Sequence, residues 1–140
     1  MRKWLIPVAV IGLALTLAGC GRKEPPVPVA NTAPPAIASM SYHIHLNTLE
    51  VNMVLTAGDP GGVGYQIDRA PIDPYCNCVG FWRRYRGEQA RPDRVGVKTK
   101  VLLGLHGTEY AFRIRAVDAM GRLGPWSKVI RARSQLKSGE

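Results

Sequence analysis

Two cysteines separated by a single residue, Cys76 and Cys78, are the first candidates for chemistry in this chain. In an oxidising compartment a thiol pair usually forms a disulfide. Cysteines at positions i and i+2 can reach the required Cα separation when the backbone turns between them. Three interpretations stay open: a local disulfide, free or intermolecular thiols, and a metal or redox site.

Two histidines, His43 and His45, could offer two imidazoles to a metal ion, because residues two apart share one face of a strand. Zinc needs further ligands, which Cys76 and Cys78 could supply as a Cys₂His₂ set. Nothing in the spacing requires these four residues to meet. The alternative is a pair of half-exposed histidines on an early strand, and we predict no metal site.

The densest basic stretch follows the cysteine pair and contains interleaved aromatic residues. Its members are Phe81, Trp82, Arg83, Arg84, Tyr85, Arg86, Arg91, Arg94, Lys98 and Lys100. Basic and aromatic side chains together suit an anionic glycan or lipid headgroup, through charge and ring stacking. The alternative is a solvated, arginine-rich loop whose aromatic residues pack over the edge of the core. We predict Trp82, Arg83 and Arg84 as part of a binding surface.

Four further arginines alternate along two segments near the C-terminus: Arg113, Arg115, Arg131 and Arg133. If the two segments pair as neighbouring strands, the four side chains share an outer face. Like charges opposite each other are destabilising without counter-ions. Asp68 could relieve part of this repulsion and an acidic partner the rest, although solvent and salt could also screen it. We predict these four arginines as a candidate interaction surface.

Motifs of common enzyme classes are missing from the sequence. It has no Gly-x-Ser-x-Gly motif, no His-Glu-x-x-His motif and no phosphate-binding loop. We therefore predict no catalytic residues, a protein that is not an enzyme, and no cofactor.

The N-terminus carries Arg2 and Lys3, an uncharged apolar run over residues 5–17, and the segment Leu17-Ala18-Gly19-Cys20. The run is too short for a bilayer, which takes about 20 apolar residues. A positive start, a short apolar run and small residues describe a cleaved export signal over residues 1–19. The final segment resembles the lipobox of bacterial lipoproteins. The resemblance implies cleavage before Cys20, a diacylglycerol on its sulfur, and an acyl chain such as palmitate on the new amino group.

The residue after the lipidated cysteine bears on location. In Gram-negative lipoproteins an Asp there commonly signals retention in the inner membrane, and this chain has Gly21. The resemblance thus favours the outer membrane of the cell envelope, facing the periplasm or the surface. Removal of the signal lowers the formal charge from +9 to +7. For a basic exported protein we expect the membrane, an envelope protein, or an anionic glycan or lipid as partners, and no nucleic acid.

Residues 20–35 form a linker with prolines at positions 25, 26, 28, 34 and 35. Such a segment favours polyproline II, at about 3.1 Å per residue, and reaches at most roughly 50 Å. Its start, Cys20-Gly-Arg-Lys-Glu-Pro-Pro, is similar to the Cys-Gly-x-Lys-Gly-Pro start of a small lipoprotein family associated with lipopolysaccharide export. Glu24 replaces the second glycine of that family. The resemblance implies docking of this segment into a transport machine.

The rest of the chain shows apolar alternation interrupted by turn residues, which predicts an all-β domain. Strands are predicted around 49–55, 63–69, 95–105, 110–118 and 126–133. The predicted inward residues are Leu49, Val51, Met53, Leu55, Tyr65, Ile67, Tyr110, Phe112, Ile114 and Ala116.

Residues 105–127 resemble the last two core strands of a fibronectin type III domain and the loop between them. The resemblance implies an immunoglobulin-like β-sandwich of about seven strands over residues 36–134, with a polar tail over 135–140. It also implies that Tyr110 is the corner tyrosine, with its ring in the core and its hydroxyl bonded to upstream backbone. Residues 71–94 exceed the family's usual connection and are expected as an insertion. Some fibronectin-like lipoproteins of Gram-negative bacteria carry a similar cysteine pair, which favours a structural loop clip.

Three hypotheses for the function follow. The first is a membrane-anchored, non-enzymatic module that binds an envelope protein or glycan. The second is an accessory lipoprotein of envelope biogenesis, of the lipopolysaccharide-export type, that docks through its N-terminal segment. The third is a metal or thiol-redox protein that uses Cys76 and Cys78.

Overall fold

The computed structural model describes residues 32–136 of the 140-residue chain. The predicted signal peptide, the predicted lipidation site Cys20, residues 21–31 of the linker and the last four residues lie outside this range. Residues 32–136 include no helix that could span a bilayer.

The described residues contain seven antiparallel strands and one 3₁₀ turn, Pro92–Arg94. The strands are β1 (Ala36–His45), β2 (Thr48–Thr56), β3 (Val63–Pro71), β4 (Arg83–Arg91), β5 (Lys98–Gly104), β6 (Tyr110–Asp118) and β7 (Ile130–Ala132). They form a three-stranded sheet, in the order β1-β2-β5, and a four-stranded sheet, in the order β4-β3-β6-β7. The predicted all-β, immunoglobulin-like sandwich of about seven strands is confirmed.

The core lies between the two sheets and follows the alternation of the sequence. On β2 the inward residues Leu49, Val51, Met53 and Leu55 are all buried, while the residues between them are half-buried. The apolar inward residues of β3 and β6 meet them from the other sheet. Tyr65, Ile67, Phe112, Ile114 and Ala116 belong to the same hydrophobic cluster, and Tyr110 packs against it. Complete burial of a Val, Leu, Ile, Phe or Met side chain contributes about 1.5–3 kcal/mol to the free energy of unfolding. The inward faces predicted for these three strands are therefore confirmed.

The largest difference from the prediction is β4, which lies inside the segment expected as an inserted, arginine-rich loop. The nine residues Arg83–Arg91 pair antiparallel with β3 and form the edge of the four-stranded sheet. Seven of these nine residues are exposed, and none is buried. A strand of this kind is specified by its backbone hydrogen bonds rather than by an apolar face, so apolar alternation cannot reveal it.

Two other strands are shorter than predicted. β5 begins only at Lys98, because the 3₁₀ turn and Gly96, whose φ is +72°, occupy the residues before it. Glycine is favoured at such a positive φ. The last strand covers only Ile130–Ala132, although Ser127 already bonds to the backbone of Ile114 on β6. The segment before β7 thus follows β6 without regular pairing.

Candidate functional site

The outward side of the four-stranded sheet carries the most unusual grouping of side chains. Arg113 and Arg115 project from β6, since they alternate with the buried Phe112 and Ile114. In the register between β3 and β6, Arg113 lies opposite Asp68 and Arg115 lies opposite Gln66. Strand alternation therefore places two cations, one carboxylate and one amide side by side.

Two tryptophans from distant parts of the chain cover these arginines. The guanidinium carbon of Arg113 lies 4.5 Å from the ring centroid of Trp82 and 4.2 Å from that of Trp126. The guanidinium carbon of Arg115 also lies 4.2 Å from the Trp126 centroid. Each such contact contributes about 0.5–2 kcal/mol. We call Trp82, Arg84, Arg113, Arg115 and Trp126 the arginine–tryptophan face.

Asp68 neutralises part of this face. It is only 6% exposed, and it accepts hydrogen bonds from Nε of Arg84 at 2.7 Å and from Nη2 of Arg113 at 3.1 Å. Burial alone would raise the pKa of Asp68, but the bonds from Arg84 and Arg113 outweigh burial and hold the pKa below its ordinary value. Asp68 is therefore charged at neutral pH. The Arg113 Nε is buried and has no hydrogen-bond partner among the described residues.

Arg115 is neutralised by no carboxylate within the described part of the chain. Its Nε donates a hydrogen bond to Oε1 of Gln66 at 2.9 Å, and that oxygen belongs to a neutral amide. Burial, reinforced by repulsion from Arg84, lowers the pKa of Arg115. Arginine still carries its charge at neutral pH. The face therefore holds three arginines against one carboxylate, and a stacked guanidinium can offer its N–H edge to an external anion.

The other two predicted arginines lie elsewhere. Arg131 of β7 donates to the side-chain oxygen of Asn77 at 2.9 Å and to its backbone oxygen at 3.1 Å. Arg133 is exposed and lies beyond the end of β7. The structure thus brings Arg113 and Arg115 together with Trp82 and Arg84, whereas Arg131 braces the loop that contains the cysteines.

Most of the predicted basic stretch is paired inside the domain. The ion pairs are Arg84–Asp68, Arg86–Glu88, Arg91–Asp93, Arg94–Glu88 and Lys100–Glu50. Arg83 and Lys98 form no ion pair with the described residues. Of the three aromatic residues, Trp82 packs on Arg113, Tyr85 packs against Phe112, and Phe81 is 88% exposed. The stretch therefore supplies binding candidates at only a few of its positions.

The cysteine pair lies in the loop between β3 and β4. The two sulfurs are at bonding distance, and the Cα atoms of Cys76 and Cys78 lie 5.1 Å apart. Asp73 holds the same loop, because its side chain accepts hydrogen bonds from the backbone of Tyr75 at 2.8 Å and of Cys76 at 3.4 Å. A clip function for the pair fits this compact loop and stays a prediction.

The two histidines lie on β1 of the three-stranded sheet, whereas the cysteine loop joins two strands of the four-stranded sheet. The Nε2 of His43 lies 3.7 Å from a carboxylate oxygen of Glu50 on β2, and His45 is exposed at the end of its strand. Across residues 32–136, no group of three or more His, Cys, Asp and Glu side chains is arranged to hold a metal ion.

Tyr110, the predicted corner residue, is half-buried and packs against the core. Its ring centroid lies 6.2 Å from that of Phe112 and 4.4 Å from the guanidinium carbon of Arg69. No hydrogen bond of its hydroxyl occurs among the described residues, so the corner role stays a prediction.

Three residues of the four-stranded sheet and its surroundings were not among the predicted site residues: Gln66 and Trp126 on the outward side, and Arg69 at the margin of the core. Gln66 could have been predicted on the outward face, because it is two residues from Asp68 and residues two apart on a strand share one face. The sequence also distinguishes Arg69, because this charged residue occupies an inward-facing position of β3, two residues after Ile67. Trp126 carried no signal of its own, because its contact with Arg113 depends on the path of the loop after β6.

Comparison with known proteins adds nothing to this geometry. No family model matches the chain, and no curated protein matches it significantly.

Proposed function

We propose that the protein is a bacterial envelope lipoprotein, anchored through a lipid on Cys20, whose β-sandwich is a non-enzymatic interaction module. The sandwich resembles a fibronectin type III domain, and its partner is an envelope protein or glycan with an acidic surface. The anchor would fix the module to a membrane, with the outer membrane favoured by Gly21, and the proline-rich linker would set its reach.

The observation that carries this proposal is the unneutralised charge of Arg115. A purely structural arginine at this place would gain from a carboxylate on β3, yet the opposing residue is Gln66. Trp126 stacks on the guanidinium and so orders it at little further entropic loss on binding. An ordered, uncompensated guanidinium beside aromatic rings is the kind of group that dominates protein interfaces.

The test is capture of partners by the full lipidated protein from its own membranes, with crosslinking and mass spectrometry. The informative variant is Gln66→Glu, which places a carboxylate within reach of Arg115 without removing the arginine. We expect this variant to unfold no more easily than the wild type, while partner capture falls about fivefold or more. Arg115→Gln should reduce capture similarly. Arg133→Gln, which removes an exposed charge outside the face, is the matched control and should leave capture unchanged.

Two results would count against the proposal. Equal capture by wild type, Gln66→Glu and Arg115→Gln would show that the face takes no part. Capture of the same partner by a lipidated peptide of residues 20–30 alone would instead support the second hypothesis, in which the N-terminal segment docks into an envelope machine.

A further inference from the structure

A second site lies where β3 ends and β6 begins, at a cleft of about 400 Å³. This volume is within the range of small-molecule sites, about 300–1,000 Å³. The cleft is lined by Arg69, Pro71, Phe81, Arg83, Arg84, Tyr85 and Tyr110. Its lining therefore contains three arginines and three aromatic residues, and no carboxylate.

Arg69 occupies the centre of this arrangement. It is opposite Phe112 in the register between β3 and β6, at the margin of the core. Its guanidinium carbon lies 4.2 Å from the ring centroid of Tyr85 and 4.4 Å from that of Tyr110. Tyr85 is itself fixed by an edge contact with Phe112, with the centroids 6.1 Å apart. Arg69 is thus held by rings, which leave its N–H groups to bind something else.

The lack of an internal partner distinguishes Arg69 from the other half-buried arginines. Arg94, Arg113 and Arg122 form ion pairs with Glu88, Asp68 and Asp118, respectively. Arg115 forms no ion pair, but it donates a hydrogen bond to the side chain of Gln66. Within the described part of the chain, Arg69 and the neighbouring Arg83 form neither an ion pair nor a side-chain hydrogen bond. Two guanidinium groups at one cleft with no protein acceptor are a ready receptor for an external carboxylate or phosphate.

The aromatic lining adds a second requirement on the ligand. The Phe81 ring is 88% exposed at the rim of the cleft, and Tyr85 is 37% exposed beside it. A bare inorganic anion would use the arginines but not the rings, while an acyl chain would use the rings but not the arginines. A sugar ring that carries an acid group uses both kinds of contact.

We infer that this cleft binds an acidic sugar unit, with its carboxylate or phosphate on Arg69 and Arg83 and its ring against Phe81 and Tyr85. The inference goes beyond the proposed function, because the cleft can take its ligand whether or not the arginine–tryptophan face binds a partner.

The test is calorimetric titration of the full lipidated protein in detergent micelles at low salt. The probes are a glucuronate oligosaccharide, glucosamine 6-phosphate, a neutral glucose oligosaccharide, inorganic phosphate and a glutamate-rich peptide. We expect one or both acidic sugars to bind at millimolar concentrations or below, and the tighter of the two identifies the acid group. The neutral sugar, free phosphate and the peptide should bind much more weakly.

Variants assign the binding to the cleft. Arg69→Gln should weaken binding by about tenfold or more, since a charge-assisted bidentate contact is lost. Phe81→Ala should weaken it by about three- to tenfold, as expected for loss of one ring contact. Because Phe81 is so exposed, this variant keeps the test decisive even if Arg69→Gln fails to fold. Arg133→Gln is the matched control, and both it and Arg115→Gln should bind the sugar as the wild type does.

Three results would overturn the inference: no heat of binding with either acidic sugar, equal affinity in wild type and Phe81→Ala, or preferential binding of the peptide. Because Arg115→Gln is silent here and reduces partner capture in the earlier test, failure of the sugar site and failure of the proposed function are distinguishable.

Discussion

Replacement of Asp68 by asparagine should destabilise the domain strongly although the shape of the side chain hardly changes. Asp68 accepts hydrogen bonds from both Arg84 and Arg113 and is nearly buried. The substitution removes the one negative charge of the arginine–tryptophan face and leaves three arginines to repel each other. It also places an amide nitrogen, a donor, where two guanidinium groups need acceptors.

The magnitude follows from burial. Breaking a buried ion pair costs about 3–5 kcal/mol, because a charge is left desolvated without its partner. Here the side chains of Arg84 and Arg113 are 44% and 27% exposed, so water replaces part of the lost interaction. We therefore expect Asp68→Asn to lower the free energy of unfolding by about 2 kcal/mol at pH 7, which corresponds to roughly 10 °C in Tm for a domain of this size.

The assay is urea unfolding of the full chain, followed by circular dichroism at several pH values. Asp93→Asn is the matched control. Its carboxylate lies 2.6 Å from Nη2 of Arg91, but both side chains are more than 60% exposed, so its removal should have a far smaller effect.

The stability that Asp68 contributes should decrease as the pH falls. The pKa of Asp68 is lowered in the folded state, so its stabilising contribution is complete above its unfolded pKa of about 3.9. The contribution is lost as the pH falls through the lower, folded value. The difference between wild type and Asp68→Asn should therefore shrink below about pH 4. Equal losses in Asp68→Asn and Asp93→Asn, or a difference that persists in acid, would refute this reasoning.

Two further predictions concern single contacts. The hydroxyl of Tyr65 donates a 2.6 Å hydrogen bond to Glu88, and burial together with this bond raises the pKa of Tyr65 to about 12. In an ultraviolet titration the phenol of Tyr65 should therefore ionise last. Its contribution to the free energy of unfolding should be lost as the pH rises from about 10 through about 12. Tyr65→Phe should abolish the late step, and a wild-type titration complete by pH 11 would contradict the assignment. The double variant Cys76→Ser/Cys78→Ser should lower the free energy of unfolding by no more than about 1.5 kcal/mol, because the closed loop is so short. Far-ultraviolet circular dichroism should not change, and loss of the β-sheet signal would show that the pair does more than clip the loop.

The sandwich itself could be predicted because its central strands bury one face. Leu49, Val51, Met53 and Leu55 alternate with half-buried residues on β2, and burial between two sheets imposes this period directly on the sequence. The apolar alternation is weaker in an edge strand that buries neither face. β4 contains no buried residue, and only its pairing with β3 makes it a strand. An arginine-rich edge strand and an arginine-rich loop therefore have the same sequence pattern.

The site was predictable only as far as single strands determine it. Alternation assigned Arg113 and Arg115 to an outward face, and the structure places both there. Their partners come from separate segments, so local spacing holds no information about them. The bond from Arg131 to Asn77 spans 54 residues, and the contact of Trp82 with Arg113 depends on the pairing of β3 with β4 and β6.

The two arginine sites of this sheet show two ways to hold a cation that the domain does not neutralise. At Arg113 and Arg115, the rings of Trp126 and Trp82 supply cation–π attraction. Asp68 forms an ion pair with Arg113, while Arg115 has no carboxylate partner among the described residues. At Arg69, the rings of Tyr85 and Tyr110 alone hold the guanidinium, and the described lining of the cleft contains no carboxylate. An aromatic ring fixes the position of a guanidinium without neutralising its charge. A carboxylate also fixes the position, but it neutralises the charge. Stability alone would gain more from a carboxylate at a position such as Gln66, so the retained charge at both sites is the observation on which the two proposed anionic ligands rest.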